Sequence, residues 1–234
     1  MFGHLQQTPY DLRFYCLGIS VRVHPVFWLT AGILGWVPQR LDLVFVNVLC
    51  VFVSILVHEM GHALMSRRFG WKSDIVLEFF GGYATSTHHP TWRSIAVSLA
   101  GPFAGFGLLF LTYFLLYMHV RHGWLPGEIA TQGLLFLCFV NLIWNVVNLL
   151  PVWPLDGGHV ARELLQWLRP RDGVYLSLML GALTGGGVAV AAVMKAMQNR
   201  GLFGLDPTFL ALMFGYLAYQ SLQAARQIRR GPWR

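Results

Sequence analysis

The chain has 234 residues, of which 56% are hydrophobic and only 12% are charged, and its formal net charge is +7. So few charged residues cannot cover the surface of a water-soluble globular protein, whereas the length suits about six membrane spans of roughly 20 residues each. The basic residues flank apolar segments, as in a membrane protein, so we exclude a nucleic-acid-binding protein. We predict an all-α polytopic membrane protein, with residues 1–234 forming a single membrane-embedded domain.

The N-terminal region has a polar start that lacks the basic-then-apolar layout of a signal peptide. Residues 17–25 then alternate apolar and polar side chains, which predicts a short strand or extended segment ending at Pro25. We interpret His24, just before that proline, as a capping or interfacial group and not as a metal ligand. Residues 25–38 are apolar but short for a full span.

Residues 41–66 predict the first full span, and they carry the pattern His-Glu-x-x-His at His58, Glu59 and His62. This spacing places both imidazoles on one helical face, where they can hold one zinc ion, with the glutamate beside them to act on a zinc-bound water. Ionisable groups inside a membrane span are costly and are found mainly where they bind an ion, pair or line a wet cavity. The pattern therefore favours a zinc site over polar residues that merely meet other helices.

The segment at residues 71–87 predicts a pair of strands around Gly81 and Gly82. Its edge suits an extended substrate that binds by strand addition, and an ordinary interfacial hairpin explains the pattern equally well. The pair His88 and His89 precedes Pro90, and this position is more typical of a surface turn or a helix start than of zinc ligands.

Two further spans are predicted at residues 94–119 and 130–150. In the first, Gly101, Pro102 and Gly105 allow a neighbouring helix to approach closely. In the second, three asparagines share one helical face, which indicates contact with protein or water instead of lipid: Asn141, Asn145 and Asn148.

The stretch PVWPLDGGHV follows at residues 151–160. Its prolines prevent a regular helix and Gly157-Gly158 permits unusual backbone, so Asp156 is predicted to lie on irregular chain at membrane depth. Asp156 is the best candidate for the third zinc ligand. His159 is expected to begin the next helix, in a capping or interfacial role. The competing ligand candidates are His159, Glu163 and Glu78.

Together, HEMGH in one span, a Gly-Pro span after it and NLLPVWPLDGG at the end of a third resemble the site-2 protease family of intramembrane zinc metalloproteases. The resemblance covers about residues 40–165, the expected catalytic core, and places the predicted β-hairpin or sheet near the active site. It implies one zinc ion per chain, with His58, His62 and Asp156 as ligands and Glu59 as the catalytic base. Asn148 matches the asparagine of the family's N-x-x-P-x-x-P-L-D-G element. Many relatives have asparagine where this chain has Gly105.

The resemblance also implies the substrate class. We expect hydrolysis of a peptide bond in or near the transmembrane segment of a membrane-anchored protein, such as an anti-sigma factor or a transcription-factor precursor. Asn148 is expected to donate a hydrogen bond to the substrate or to the developing oxyanion. We expect no PDZ or CBS-type module in this chain.

The remaining helices are predicted at the periphery, at about residues 25–38, 173–197 and 207–225. With six spans, only four basic residues fall on one side of the membrane, and the other Lys and Arg fall on the opposite side: Arg40, Arg121, Lys195 and Arg200. This bias predicts that both termini lie in the cytoplasm. We expect a multi-pass protein of the cell membrane of a prokaryote.

Two other classes of protein remain open. Polar residues at membrane depth also suit a metal or small-solute transporter, although the sequence has no second copy of either motif. A catalytically silent membrane scaffold is the other alternative, although neither the glutamate nor any proposed ligand has been lost.

Overall fold

The structure is a computed structural model that describes residues 7–78, 81–83, 91–123, 127–198 and 206–230. The predicted turn at His88 and His89 lies outside these residues. The elements in chain order are β1 (Leu12–Cys16), β2 (Ile19–Val23), α1 (Pro25–Leu34), α2 (Leu41–Arg68), β3 (Ile75–Glu78), β4 (Gly81–Tyr83), α3 (Thr91–His122), α4 (Glu128–Asn148), α5 (Asp156–Leu168), α6 (Gly173–Met197) and α7 (Pro207–Arg230).

Four of the described helices, α2, α3, α4 and α6, are long and apolar enough to cross a membrane. The chain is therefore an integral membrane protein. These four helices correspond to four of the roughly six spans that the sequence predicts. The first predicted span, at residues 25–38, contains α1, which has only 10 residues. The last, at residues 207–225, lies in α7, which ends in the basic sequence RQIRR and does not reach the apolarity of the other four.

The chain divides into two compact units, one of residues 1–88 and 100–145 and the other of residues 89–99 and 146–234. The first unit contains a four-stranded sheet in the order β1-β2-β3-β4. The outer pairs are antiparallel, and the central pair β2–β3 is parallel. The structure thus confirms the predicted strand before Pro25 and the predicted strand pair near Gly81.

Strand β1 was not predicted. It joins β2 through a two-residue turn in which Leu17 and Gly18 both have positive φ, at 50° and 73°, as tight hairpin turns require. The Arg67 guanidinium at the end of α2 donates a hydrogen bond of 2.9 Å to the Leu17 carbonyl. This bond ties the hairpin to the helix that carries the His-Glu-x-x-His motif.

The core of the first unit lies where the buried faces of β2 and β3 meet α1 and α2. Its fully buried members include Val21, Val23, Phe27, Val51 and Leu77. Helix α1 begins after His24, whose Nδ1 accepts a hydrogen bond from the Val26 amide at 3.2 Å. The predicted capping role of His24 is therefore confirmed.

The second unit has its own apolar core, formed by Val152, Ala192, Leu210, Phe214 and Leu217. Helix α5 begins at Asp156, with Leu155 as its N-cap. The prediction that Asp156 lies on irregular chain and that His159 begins the helix was therefore wrong: the irregular segment ends one residue before Asp156. A carboxylate in the first turn of a helix suits the positive end of the helix dipole.

Gly157 and Gly158 lie in this first turn of α5, and neither has a positive φ. The prediction that they permit unusual backbone was therefore wrong. They are needed for close packing instead: a β-carbon on Gly157 would overlap the Leu149 carbonyl, and one on Gly158 would lie 2.6 Å from backbone atoms of Val152. The glycines let the first turn of α5 pack directly on the preceding irregular segment.

Candidate metal centre

The two histidines of the motif lie on one face of α2, as their spacing predicts. Both are buried, with 2% of His58 and 8% of His62 exposed. Their Nε2 atoms face each other at 3.1 Å. Two nitrogen ligands of one tetrahedral zinc ion, each at about 2.0–2.1 Å from the metal, lie about 3.3–3.4 Å apart. The imidazoles therefore already have nearly the separation that a shared zinc ion requires.

Asp156 adds a third side chain that could hold a metal ion together with the two histidines. One donor atom each from His58, His62 and Asp156 lie within 4.8 Å of one another, and these three form the one such group found among the described residues. The competing candidates have other surroundings: Glu78 pairs with Arg22 at 3.4 Å, and His159 is exposed. Two imidazoles and one carboxylate are a donor set typical of catalytic zinc sites, which keep a fourth position open.

Glycines of α2 and α3 make the room for this group. A β-carbon on Gly101 would overlap the His62 imidazole, and a β-carbon on Gly105 would overlap the side-chain amide of Asn145. In the same region, a β-carbon on Gly61 would overlap the Ala100 carbonyl. The close helix approach predicted for Gly101 and Gly105 is therefore confirmed, and it serves the site directly, because each glycine leaves space for a polar side chain.

The asparagine face of α4 contributes a contact that the sequence did not reveal. Asn145 is 1% exposed, and its Oδ1 lies 2.9 Å from Nδ1 of His58. Its amide nitrogen donates to the backbone carbonyl of Asn141. The Asn141 side chain in turn donates to the Ser54 hydroxyl of α2 at 3.0 Å. The predicted contact of this face with protein is confirmed for Asn141 and Asn145, but the partnership of Asn145 with His58 was missed.

The two remaining predicted site residues differ in burial. Glu59, between the two histidines on α2, is buried with 6% exposed. Asn148, the last residue of α4, is half-buried. A buried carboxylate in an apolar helix is costly unless it pairs, binds an ion or lines a wet cavity, which supports Glu59 as part of a functional site.

Comparison with known proteins extends these observations. The model of peptidase family M50 matches residues 46–126 and 125–185, which contain the whole group described above. The chain is 34% identical over 144 residues to stage IV sporulation protein FB of Bacillus subtilis, covering 60% of this chain and 46% of that one. It is 29% identical over 163 residues to a zinc metalloprotease of Methanocaldococcus jannaschii, covering 67% and 46%. The chain thus spans about half the length of these curated relatives.

The fold has a solved counterpart. The site-2 protease from Methanocaldococcus jannaschii superimposes with a TM-score of 0.58 at 22% sequence identity, over 93% of this chain and 96% of that chain. The shared fold agrees with the sequence match, which covers more than half of the chain and includes the sequences HEMGH and PLDGG. On this ground the chain belongs to peptidase family M50.

Proposed function

We propose that the chain is an intramembrane zinc metalloprotease, which hydrolyses a peptide bond in or near the transmembrane segment of a membrane-anchored protein. One observation carries the proposal: nitrogen atoms of His58 and His62 and a carboxylate oxygen of Asp156 lie within 4.8 Å of one another. Membership of family M50 and the relatives named as zinc metalloproteases support zinc as the metal, with one ion per chain.

The chemistry assigns a role to each residue. His58, His62 and Asp156 would hold the zinc ion, which when bound supplies Lewis-acid chemistry by lowering the pKa of water toward about 7 and polarising a carbonyl group. Glu59 takes a proton from the attacking water and later gives one to the leaving amine. Asn148 donates a hydrogen bond from its amide to the substrate carbonyl or to the developing oxyanion.

The substrate must expose an extended segment, because a peptide bond inside a helix is shielded by its neighbours. Strand β4 is at the edge of the sheet, and an edge strand offers backbone groups to which an extended peptide can add. We therefore propose that β4 holds the unwound segment of the substrate. Membrane-anchored anti-sigma factors and transcription-factor precursors are the substrates to test first.

The positions of the basic residues favour one orientation of the chain in the membrane. Helix α2 ends in Arg67 and Arg68, close in sequence to His62, and basic residues are enriched at the cytoplasmic ends of spans. We propose that this end of α2 and both termini face the cytoplasm, so that water reaches the metal from that side. Cysteine variants at positions 3 and 233, labelled in intact and in broken cells, test this orientation: labelling in intact cells would contradict it.

The proposal is tested with the purified chain in liposomes, together with a transmembrane peptide labelled at one end. We expect cleavage that stops on chelation of zinc. Glu59→Gln should retain zinc while its cleavage rate falls by about 10²–10⁴-fold, the usual contribution of a general base. Zinc bound without cleavage would indicate a silent scaffold, and zinc moved into the liposome lumen without cleavage would indicate a transporter.

A further inference from the structure

The amide of Asn145 has only one orientation compatible with its neighbours. Its nitrogen is placed against the Asn141 backbone carbonyl, and a carbonyl can accept a hydrogen bond but cannot donate one. The amide NH₂ must therefore face Asn141, which leaves the amide oxygen facing His58. The Asn141 carbonyl lies one helical turn earlier on α4, so this anchor belongs to the backbone and does not depend on the Asn141 side chain.

The orientation of the amide decides the tautomer of His58. Asn145 Oδ1 lies 2.9 Å from His58 Nδ1, and an amide oxygen can only accept. Nδ1 must therefore carry the hydrogen and donate it. In a neutral imidazole the other nitrogen then has the lone pair. For His58 this other nitrogen is Nε2, the atom that lies 3.1 Å from Nε2 of His62.

We infer that Asn145 is a positioning residue, which fixes the tautomer and the ring orientation of His58 so that its Nε2 lone pair is directed to the metal. This inference rests on the proposed function, because it assumes that His58 is a zinc ligand. The environment supports a tight constraint: His58 and Asn145 are 2% and 1% exposed, and Gly105 leaves the space that the Asn145 amide occupies. Partners that orient metal-bound histidines typically change metal affinity about 10–100-fold when they are removed.

The test measures zinc affinity and needs no substrate. The zinc dissociation constant of the detergent-purified chain is determined by competition with a chromophoric chelator. Asn145→Ala should weaken zinc binding by about 10–100-fold. Asn145→Asp keeps an oxygen acceptor for His58 Nδ1–H but sets a second oxygen against the Asn141 carbonyl, so it should bind zinc more tightly than Asn145→Ala and less tightly than wild type. Equal affinity of wild type and Asn145→Ala would overturn the inference.

Two variants separate positioning from a general loss of structure. Asn47→Ala removes another buried amide of the same unit, which donates to the Gly35 carbonyl at 3.0 Å, and it should lower the melting temperature without changing zinc affinity. Asn141→Ala keeps the backbone carbonyl that anchors Asn145 and should also retain zinc affinity. If either variant weakens zinc binding as much as Asn145→Ala, the specific role of Asn145 is refuted.

A second measurement is made on the wild-type chain and does not depend on whether the Asn145 variants fold. The ¹⁵N chemical shifts of the His58 ring in the metal-free protein, assigned by their loss in His58→Gln, should show hydrogen on Nδ1 at a pH where the ring is neutral. Hydrogen on Nε2 would overturn the inference. If the wild-type chain binds no zinc, the proposed function fails, while this measurement still decides the orientation of His58 by Asn145.

Discussion

The imidazole of His62 occupies the space that a β-carbon on Gly101 would need. Helix α3 therefore limits where the ring can lie, and we predict that Gly101→Ala displaces His62 and sharply lowers the zinc content of the purified protein. Gly107→Ala, on the same helix but with open space at the β-carbon, is the matched control and should keep full zinc content. Metal analysis of the two variants checks this prediction, and full zinc occupancy in Gly101→Ala would contradict it.

Asp156 is predicted to be the third ligand. Its replacement by alanine removes one of three protein donors, so Asp156→Ala should lose most of its zinc during purification, whereas Glu163→Ala, which alters a competing candidate on the same helix, should retain it. Zinc per chain is measured by atomic absorption. Should the two variants reverse this order, Glu163 would replace Asp156 in the ligand set.

The first turn of α5 is predicted to be sensitive to a single added methyl group. Because a β-carbon on Gly158 would lie 2.6 Å from backbone atoms of Val152 and Trp153, Gly158→Ala should destabilise the protein by about 1–3 kcal/mol, as overpacking typically does. Gly187→Ala in α6 has open space at the β-carbon and should be neutral or stabilising. Melting temperatures in detergent compare the two, and an unchanged value for Gly158→Ala would show that the backbone can move apart.

The sheet is predicted to lose stability in acid through Asp11. Burial raises the pKa of this carboxyl, but hydrogen bonds from Thr8 and Arg22 lower it by a larger amount, so that the pKa falls from 3.8 to about 2. A carboxyl whose pKa is depressed by folding contributes stability that is present above its unfolded pKa and is lost as the pH falls through its folded pKa. The contribution of Asp11 should therefore be complete above about pH 4 and should disappear toward about pH 2.

Asp11→Asn provides the comparison for this pH dependence. The difference in melting temperature between wild type and Asp11→Asn should be largest near neutral pH and should shrink between about pH 4 and pH 2. The variant removes the charge and the titration of this carboxyl and leaves the other carboxylates in place, so their contributions cancel in the difference. A difference that stays constant over this range would mean that the Asp11–Arg22 contact does not stabilise the folded state.

The sequence predicted those parts of the molecule that local patterns determine. The separation of His58 and His62 defines one face of a helix in any structure, and the apolar runs of α2 and α6 are unmistakable. Strand β1 was missed because most of its side chains are exposed or half-buried, and a strand without a buried face leaves no alternating pattern in the sequence. Helix α7 was predicted as a span from its apolar first part, but even that part, which includes Pro207, Gln220 and Gln223, is less apolar than the other four helices.

The contact between Asn145 and His58 is an example of what local sequence patterns do not predict. Three asparagines share one face of α4, and nothing in their spacing tells which amide reaches His58. That choice depends on how closely α3 approaches α4, and Gly105 allows the close approach because it has no side chain. Similarly, the prolines before Asp156 suggested an irregular backbone, but the exact start of α5 depends on packing against Leu149 and Val152.

The parallel pairing of β2 with β3 imposes an order on biogenesis. Val21 is hydrogen-bonded beside Ile75, yet α1 and the whole of α2 separate these strands along the chain. As the polypeptide leaves the ribosome, one edge of β2 therefore stays unpaired until α2 and then β3 have been synthesised. Pairing with β3 becomes possible only then, so the sheet is completed after α2 and not before it.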